Sequence, residues 1–263
     1  MLIQLILSIA SVALTTVLYI AHPALSLWWL LPLLMGSFAV TLLLAVFGTV
    51  LVAAVLKHAP PSTARNRFYR LISHWAAWVC LVCGIRVQAQ GLDKLPTNRA
   101  FLLVGNHRSN LDPLVALAVL RGFDTVFVSK PENFNIPVVG VALHCLRFLP
   151  IDRENPRNAV ATIKTAAQHI TEQRLNVFIY PEGTRNKTEG GLLPFHNGSF
   201  KIATIAKCPV AVMTVRYEKG AFPYRRMTRI RVVETLDPDY IAANRTDAIS
   251  ERARAIIEED LKN

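Results

Sequence analysis

An uncharged segment opens the chain: residues 1–56 contain no Lys, Arg, Asp or Glu. The apolar run 2–21 can just cross a hydrocarbon layer of about 30 Å, because a helix rises about 1.5 Å per residue. His22 and Pro23 interrupt this run, and a second run extends from residue 25 to 56. The sequence therefore predicts a membrane-embedded helical hairpin over residues 1–56.

Two other interpretations of this segment were weighed. A cleaved signal peptide would carry a basic region before its apolar core, which the first run lacks, and here a second long run follows. A buried hairpin in a soluble protein is disfavoured because uncharged runs of this length are rare in soluble cores. The membrane hairpin remains the preferred interpretation.

Basic residues follow the second run directly. Lys57, Arg65, Arg67 and Arg70 all precede Asp93, the first acidic residue. The positive-inside rule places such a flank, and the body behind it, on the cytoplasmic side, as at a bacterial inner membrane. The same residues could instead hold anionic lipid headgroups. We predict a basic linker over residues 57–90, containing an interfacial or core helix at 71–85.

The composition of the chain limits the classes of binding partner that are expected. The formal net charge of +11 favours a polyanionic partner, and 52% of the residues are hydrophobic. With an apolar segment present, an anionic membrane and phosphorylated substrates are expected before nucleic acid, and no nucleic acid is predicted. The four cysteines include a single C-x-x-C pair, too few ligands for a structural zinc site, so we interpret them as reduced packing residues.

Beyond the linker, strand-like runs alternate with helix-like runs. The predicted strands cover 86–90, 100–104, 125–129, 148–151, 176–180, 210–215 and 228–233, and the predicted helices cover 113–120, 158–173, 199–207 and 247–261. This alternation predicts an α/β fold, a mixed sheet flanked by helices on both faces. Residues 91–263 are expected to form one globular domain.

The segment Asn106-His107-Arg108-Ser109-Asn110-Leu111-Asp112 follows a predicted buried strand. Ligand crevices of α/β folds lie at the carboxyl ends of strands, so His107 is well placed for chemistry. Asp112 could accept a hydrogen bond from one ring nitrogen and leave the other to take a proton. The purely structural alternative is that Asp112 is the N-cap of the helix at 113–120 beside an exposed histidine. By itself this spacing is a weak signal.

Two further loops after predicted strands are suited to anions. Pro150-Ile151-Asp152-Arg153 presents an arginine that could bind phosphate in a bidentate manner. Tyr180-Pro181-Glu182-Gly183-Thr184-Arg185 combines a glycine turn with a hydroxyl and a guanidinium. An ordinary ion pair and a plain surface turn are the alternatives, but three such loops after separate strands favour a common site.

These blocks, followed by Lys207-Cys208-Pro209-Val210, resemble in order and separation the glycerolipid acyltransferases of the 1-acylglycerol-3-phosphate acyltransferase type. The resemblance covers about residues 91–215 and implies the fold of that family. Leu193 to Lys201 resembles the segment after the third block. Tyr180 stands where the family commonly has phenylalanine.

The resemblance implies a role for each matching residue. His107 would deprotonate the acceptor hydroxyl and Asp112 would orient it. The acceptor phosphate would be bound by a set of substrate-binding residues: Arg153, Gly183, Thr184, Arg185 and, more weakly, Lys130. Glu182 matches a family glutamate with an organising role. Backbone N–H groups near Asn106–Ser109 are candidate donors to the oxyanion.

The implied function is acyl transfer from an acyl thioester to 1-acylglycerol 3-phosphate, which yields phosphatidate. Acyl-CoA or acyl carrier protein would be the co-substrate, the lysophospholipid and membrane lipids the other partners, and no metal or cofactor is expected. Three alternatives stay open. The acceptor could be glycerol 3-phosphate, another lysophospholipid or a lyso-aminolipid; the chain could be a non-catalytic protein that binds anionic lipid through Arg225, Arg226, Arg229 and Arg231; or it could be a hydrolase. The arginine ribbon is more typical of a solvated edge strand.

Overall fold

The computed structural model describes residues 2–22, 26–56, 63–188, 191–220 and 226–262. Within these ranges seven strands form one sheet in the order β1-β7-β6-β2-β5-β3-β4. Neighbouring strands are parallel except β6 and β7, which are antiparallel, so the predicted mixed sheet is confirmed. The strands are β1 (Ile85–Gln90), β2 (Leu102–Gly105), β3 (Thr125–Ser129), β4 (Leu149–Pro150), β5 (Asn176–Ile179), β6 (Val210–Lys219) and β7 (Arg226–Leu236).

The helices lie before the sheet and between its strands. They are α1 (Leu2–Ala21), α2 (Leu30–Leu56), α3 (Thr63–Val82), α4 (Asp112–Val119), α5 (Val139–Cys145), α6 (Pro156–Thr171), α7 (Lys201–Ala206), α8 (Pro238–Ala243) and α9 (Thr246–Lys262). Four 3-10 turns occupy Leu27–Trp29, Leu92–Lys94, Pro131–Asn135 and Asn197–Phe200. The predicted body helices are all present, with ends shifted by a few residues.

Strands β2 and β5 lie at the centre of the sheet. Every residue of both strands is buried, which explains why they read as continuous apolar runs: helices cover both faces. Because β2, β3, β4, β5 and β6 run parallel to their neighbours in this part of the sheet, their carboxyl ends meet at one edge. The three loops singled out in the sequence follow β2, β4 and β5, so all three emerge at that edge.

Strand β7 is not the solvated edge strand that the arginine ribbon predicted. It lies between β1 and β6. Arg229 forms an ion pair with Glu218 at 2.9 Å, and Arg231 pairs with Asp260 at 2.7 Å. Arg225 lies outside the described residues. Two ribbon arginines are thus engaged by carboxylates of the same chain, which removes the support for an anion-binding ribbon.

Helices α1 and α2 pack as a hairpin joined by hydroxyl contacts. Ser11 Oγ and Thr41 Oγ1 lie 3.0 Å apart, and Thr15 Oγ1 and Ser37 Oγ lie 2.7 Å apart. Hydrogen bonds between small polar residues hold helices together in lipid, where the hydrophobic effect does not drive apolar helix surfaces together.

The stretch Leu27–Val55 is long and apolar enough to cross a membrane, and only 6% of its most apolar part is buried. The part of α1 with described side chains, Leu5–Ala21, is shorter. That both runs cross the membrane stays a prediction, as do the boundaries at residues 56 and 90.

Helix α3 joins the hairpin to the body. It begins before the predicted helix at 71–85 and ends at Val82, because the chain already enters β1 at Ile85. Phe68, Tyr69 and Cys80 are buried in the core, and Trp75 Nε1 donates to Thr49 Oγ1 of α2 at 3.2 Å. This helix is therefore a core element. Lys57 lies outside the described residues.

A buried carboxylate attaches the last helix to the sheet. Asp260 is 6% exposed and accepts from Arg231 and from Thr214 Oγ1, each at 2.7 Å. We expect Asp260→Ala to lower the free energy of unfolding by about 2 kcal/mol, because Thr214 loses its acceptor and the guanidinium its partner. Thermal unfolding of the detergent-solubilised protein measures this, with a fall of roughly 5 °C in Tm expected.

Glu234→Ala is the matched control for this prediction. It also removes a carboxylate that joins α9 to β7, through Arg252 at 3.0 Å, but that pair is exposed. Exposed pairs contribute about 0–1 kcal/mol, so Tm should hardly change. Equal shifts in Tm for the two variants would contradict the role of the buried Asp260 carboxylate in attaching α9 to the sheet.

Candidate active site

Asn106 fastens the loop that carries His107 to the neighbouring strand. Its side-chain amide donates to the Val215 carbonyl at 2.9 Å, and its carbonyl oxygen accepts from the Val215 N–H at 2.7 Å. Asn106 is fully buried, so both bonds are shielded from water. The sequence placed Asn106 in the motif without a role; the structure shows that it holds the loop against β6.

His107 and Asp112 lie in direct contact. His107 Nδ1 is 2.8 Å from Asp112 Oδ2, and the carboxylate is fully buried. The same oxygen accepts the backbone N–H groups of Arg108 at 2.6 Å and Ser109 at 2.8 Å. The expectation that Asp112 is an N-cap is wrong: Leu111 occupies that position and Asp112 is the first residue of α4. Its carboxylate turns back over the loop because the loop supplies its donors.

Tyr217 completes the set of hydrogen-bond donors to Asp112. Its hydroxyl donates to Asp112 Oδ1, the oxygen that faces away from His107. Burial and the neighbouring Asp112 charge raise the pKa of Tyr217, so the phenol remains a neutral donor. Tyr217 lies beyond the strand predicted from the sequence, which ends at Val215, whereas β6 continues to Lys219. β6 lies beside β2, so a polar residue at its end falls next to the loop after β2.

The hydrogen bonds determine which imidazole nitrogen is available. Both oxygens of Asp112 accept hydrogen bonds from other donors, so the carboxylate also accepts from Nδ1–H of His107, and Nε2 is left as the unprotonated nitrogen. Nε2 has no hydrogen-bond partner within the part of the chain that the structure describes. The His107 side chain is 16% exposed, so Nε2 is open to a substrate.

Tyr180 holds the imidazole from one face. The two rings are stacked, with centroids 4.2 Å apart and planes 16° from parallel. The Tyr180 hydroxyl is buried and has no hydrogen-bond partner among the described residues. Burial, followed by the charge of Asp112, raises the pKa of Tyr180, so the ring next to His107 stays neutral.

Glu182 joins the loop after β2 to the loop after β5 and the segment that follows it, through main-chain N–H groups. Its Oε1 accepts the His107 N–H at 2.7 Å and its Oε2 accepts the Leu193 N–H at 3.0 Å. The Asn186 N–H donates to the His107 carbonyl at 2.7 Å. Glu182 is 2% exposed, and burial raises its pKa against those bonds. This geometry supports an organising role and leaves no carboxylate oxygen facing a phosphate.

Arg153 and His196 converge on Gly183. A Cβ built on Gly183 would lie 2.7 Å from His196 Nε2 and 3.6 Å from Arg153 Nη1. Gly183 also has a φ of +73°, which other residues rarely adopt. Desolvation lowers the pKa of Arg153, opposed by the charge of Glu132. The loops after β4 and β5 thus meet around a glycine, and His196 is a site neighbour to which the sequence gave no role.

The remaining phosphate candidates lie at the same edge. Lys130 is exposed directly after β3, Thr184 is exposed and Arg185 is half-buried. Within the described ranges, the side chains of Lys130 and Arg185 form no ion pair. The structure therefore places these cations where they remain available to an anion. It does not join them to each other by contact.

The expected oxyanion donors are already engaged. The N–H groups of His107, Arg108 and Ser109 donate to Glu182 or Asp112. They cannot also receive a developing oxyanion without giving up a carboxylate. That expectation is therefore corrected for these three residues, whose N–H groups serve to build the site.

Comparisons with known proteins connect this chain to acyltransferases. The acyltransferase family profile matches residues 86–216. Over 177 residues the chain is 30% identical to human 1-acyl-sn-glycerol-3-phosphate acyltransferase alpha, covering 65% of this chain and 62% of that protein. It is also 30% identical over 194 residues to 1-acyl-sn-glycerol-3-phosphate acyltransferase of Limnanthes douglasii, covering 72% and 66%. The match thus spans less than two thirds of each relative.

A solved structure shares the fold. The 1-acyl-sn-glycerophosphate (LPA) acyltransferase from Thermotoga maritima superimposes with a TM-score of 0.66 over 82% of this chain and 86% of that one, at 20% sequence identity. At this identity the likeness concerns the arrangement of helices and strands.

Proposed function

We propose that this chain, which belongs to the acyltransferase family, transfers a fatty acyl group from an acyl thioester to the free hydroxyl of 1-acylglycerol 3-phosphate. The observation that carries the proposal is the His107–Asp112 contact at 2.8 Å with Nε2 left open. The curated relatives named for this reaction support the choice of acceptor. The product would be phosphatidate.

The proposed reaction is a single displacement. His107 Nε2 takes the proton of the acceptor hydroxyl while that oxygen attacks the thioester carbonyl carbon. The tetrahedral intermediate collapses, the C–S bond breaks, and the imidazolium returns its proton to the leaving thiolate. Asp112 stays ionised throughout and stabilises the positive imidazolium. The donor would be acyl-CoA or acyl carrier protein, and no covalent enzyme intermediate is required.

The anion-suited loops would position the acceptor. Arg153 and the turn at Gly183 approach each other in the loops beside the His107–Asp112 pair. Lys130, Thr184 and Arg185 lie at the same edge of the sheet. A phosphate held there would present the glycerol hydroxyl to Nε2. Holding reactants in place contributes a large share of the rate in such transfers.

We propose that the protein is associated with membranes through its apolar N-terminal segment, in which Leu27–Val55 is long and apolar enough to cross a bilayer. We further propose that the body lies on the cytoplasmic side, as at a bacterial inner membrane. Arg67 and Arg70 on α3 are exposed just beyond the hairpin, as the positive-inside rule requires of a cytoplasmic flank.

The decisive experiment for the proposed function is an acyl-transfer assay with a panel of acceptors. Purified protein is given acyl-CoA or acyl carrier protein thioesters with lysophosphatidate, glycerol 3-phosphate, other lysophospholipids and lyso-aminolipids. Phosphatidate formation with the highest kcat/KM for lysophosphatidate supports the proposal. Preference for an acceptor without phosphate, or release of free fatty acid without any acceptor, would refute it.

Arg153→Ala is expected to raise KM for lysophosphatidate about 10–100-fold, because a charge-assisted hydrogen bond to phosphate contributes about 1.5–3 kcal/mol. KM for the acyl thioester should be unchanged. Arg153→Lys should restore only part of the affinity, since an ammonium cannot bind phosphate through a planar fork. Initial rates with each substrate varied in turn measure both constants.

Arg157→Ala is the control, because Arg157 is an exposed arginine on the nearby first turn of α6. Its KM values should equal those of the wild type. If Arg153→Ala raised KM for the thioester instead, the guanidinium would belong to the donor site.

A further inference from the structure

The connection between β3 and β4 carries an apolar segment on the surface of the body. Its members are Ile136, Val138 and Val139, which are 46%, 49% and 46% exposed. We define the apolar turn as residues 136–139. Scattered exposed aliphatic residues are normal, but three within four positions form a local patch that needs a partner.

The apolar turn has a constrained backbone. The Gly140 N–H donates to the Ile136 carbonyl at 2.7 Å, and Val138 has a φ of +66°, which is strained for a β-branched residue. A Cβ on Gly140 would lie 2.0 Å from the Phe134 carbonyl oxygen, so the turn packs tightly on the preceding 3-10 helix. This packing presents the aliphatic side chains outward instead of letting them fold into the core.

The apolar turn leads directly into the helix that packs against the N-terminal hairpin. Helix α5, which begins at Val139, packs against α2. Near its end α2 still exposes Leu51 by 55% and Val55 by 68%, while Ala53 between them is buried in the core. The lipid-facing side of α2 therefore extends down to the level at which the body, with α5, is attached.

Two basic residues flank, in sequence, the connection that carries the apolar turn. β3 and β4 are paired in parallel, with Ser129 opposite Pro150, so Lys130 and Arg153 follow them at the same edge of the sheet. The apolar turn lies in the connection between these two cations. Cations at the level of phosphate headgroups with aliphatic side chains beside them match the layering of a membrane surface.

We propose that the apolar turn is a second membrane contact, one that inserts Ile136, Val138 and Val139 into the bilayer surface beside the phosphate site. The acceptor then enters sideways from the bilayer, its acyl chain passing over the apolar turn and its phosphate meeting Lys130 and Arg153. The choice of acceptor rests on the proposed function; the membrane contact does not.

The kinetic test compares two double variants. Ile136→Ser with Val139→Ser removes two side chains of the turn, and Val160→Ser with Ile205→Ser removes two from α6 and α7 that are similarly exposed, at 50% and 51%. The first should raise KM for long-chain lysophosphatidate in phosphatidylglycerol vesicles about tenfold, which corresponds to about 1.4 kcal/mol. KM for hexanoyl lysophosphatidate dissolved in water should not change. The control should leave both values at wild type.

A second measurement is independent of activity. Ile136→Trp and Ile205→Trp each add one tryptophan, and fluorescence is recorded with vesicles of brominated phospholipid. Extra quenching for Ile136→Trp alone is expected. Equal quenching of the two variants, or equal KM changes for the two double variants, would overturn the membrane contact. Failure of the proposed function would look different: wild-type protein would turn over neither lysophosphatidate, while the quenching difference would persist.

Discussion

His107→Ala is expected to lower kcat for acyl transfer by about 10²–10⁴-fold, the usual contribution of a positioned general base. Nε2 is the open nitrogen of the site, because Nδ1 is bound to Asp112 at 2.8 Å. Without the imidazole, no group in that position takes the hydroxyl proton or returns it to the thiolate. The measurement is kcat at saturating lysophosphatidate and thioester with detergent-purified protein. KM for either substrate should change little, since the phosphate loops remain.

His74→Ala is the control for this variant. His74 lies on α3 and its Nδ1 contacts the Arg70 carbonyl at 2.6 Å, away from the proposed site. Its kcat should match the wild type. Turnover by His107→Ala close to that of the wild type, with the fold intact, would remove His107 from the mechanism.

Asp112→Asn is the second variant with a large expected effect, again a loss of about 10²–10⁴-fold in kcat. The carboxylate accepts from His107, Arg108, Ser109 and Tyr217. The asparagine amide has a single acceptor oxygen, so its NH₂ group must face donors that the second carboxylate oxygen accepted. The neutral amide also cannot stabilise an imidazolium by charge. Tm is measured alongside kcat, because lost activity with an unchanged Tm separates catalysis from folding.

Tyr217→Phe provides a graded comparison. It removes a single donor from Asp112 and keeps the ring, so we expect only about a tenfold loss of kcat, equivalent to about 1.5 kcal/mol, the lower end for one hydrogen bond to a charged group. The kcat of Asp112→Asn should lie well below that of Tyr217→Phe, because the first variant loses more hydrogen bonds. A Tyr217→Phe enzyme as slow as Asp112→Asn would mean that the tyrosine itself takes part in the proton transfer.

Much of the architecture could be predicted from the residues. The central strands could be identified from short apolar runs bounded by turn residues, because β2 and β5 are buried on both faces and are almost entirely apolar. The strand β7 was also predicted, but its position at a solvated edge of the sheet was wrong. Its arginines resemble a solvated ribbon, yet Arg229 and Arg231 find carboxylates on β6 and α9, and such partners are distant in sequence.

The proposed site divides in the same way. The loop motifs after β2, β4 and β5 could be recognised because each consists of adjacent residues with a chemical logic of its own. Tyr217, Asn106 and His196 could not be assigned in advance. The roles of Tyr217 and Asn106 depend on contacts with residues 105 and 109 positions away, and that of His196 on the approach of a neighbouring loop. No local pattern reports which strand lies beside which.

By itself the sequence determined that the chain has an uncharged membrane segment, an α/β body and a histidine–aspartate pair at a strand end, because these are properties of composition and short spacing. Tertiary structure alone decided how the pair is held: an aspartate buried under four donors, an imidazole stacked on Tyr180, and a glutamate that ties the loops together. It also decided that Lys130 and Arg153 follow paired strands at one edge of the sheet, and that α5 packs against α2. The physical reason is that the order of strands in the sheet, which periodicity does not encode, sets which distant side chains meet.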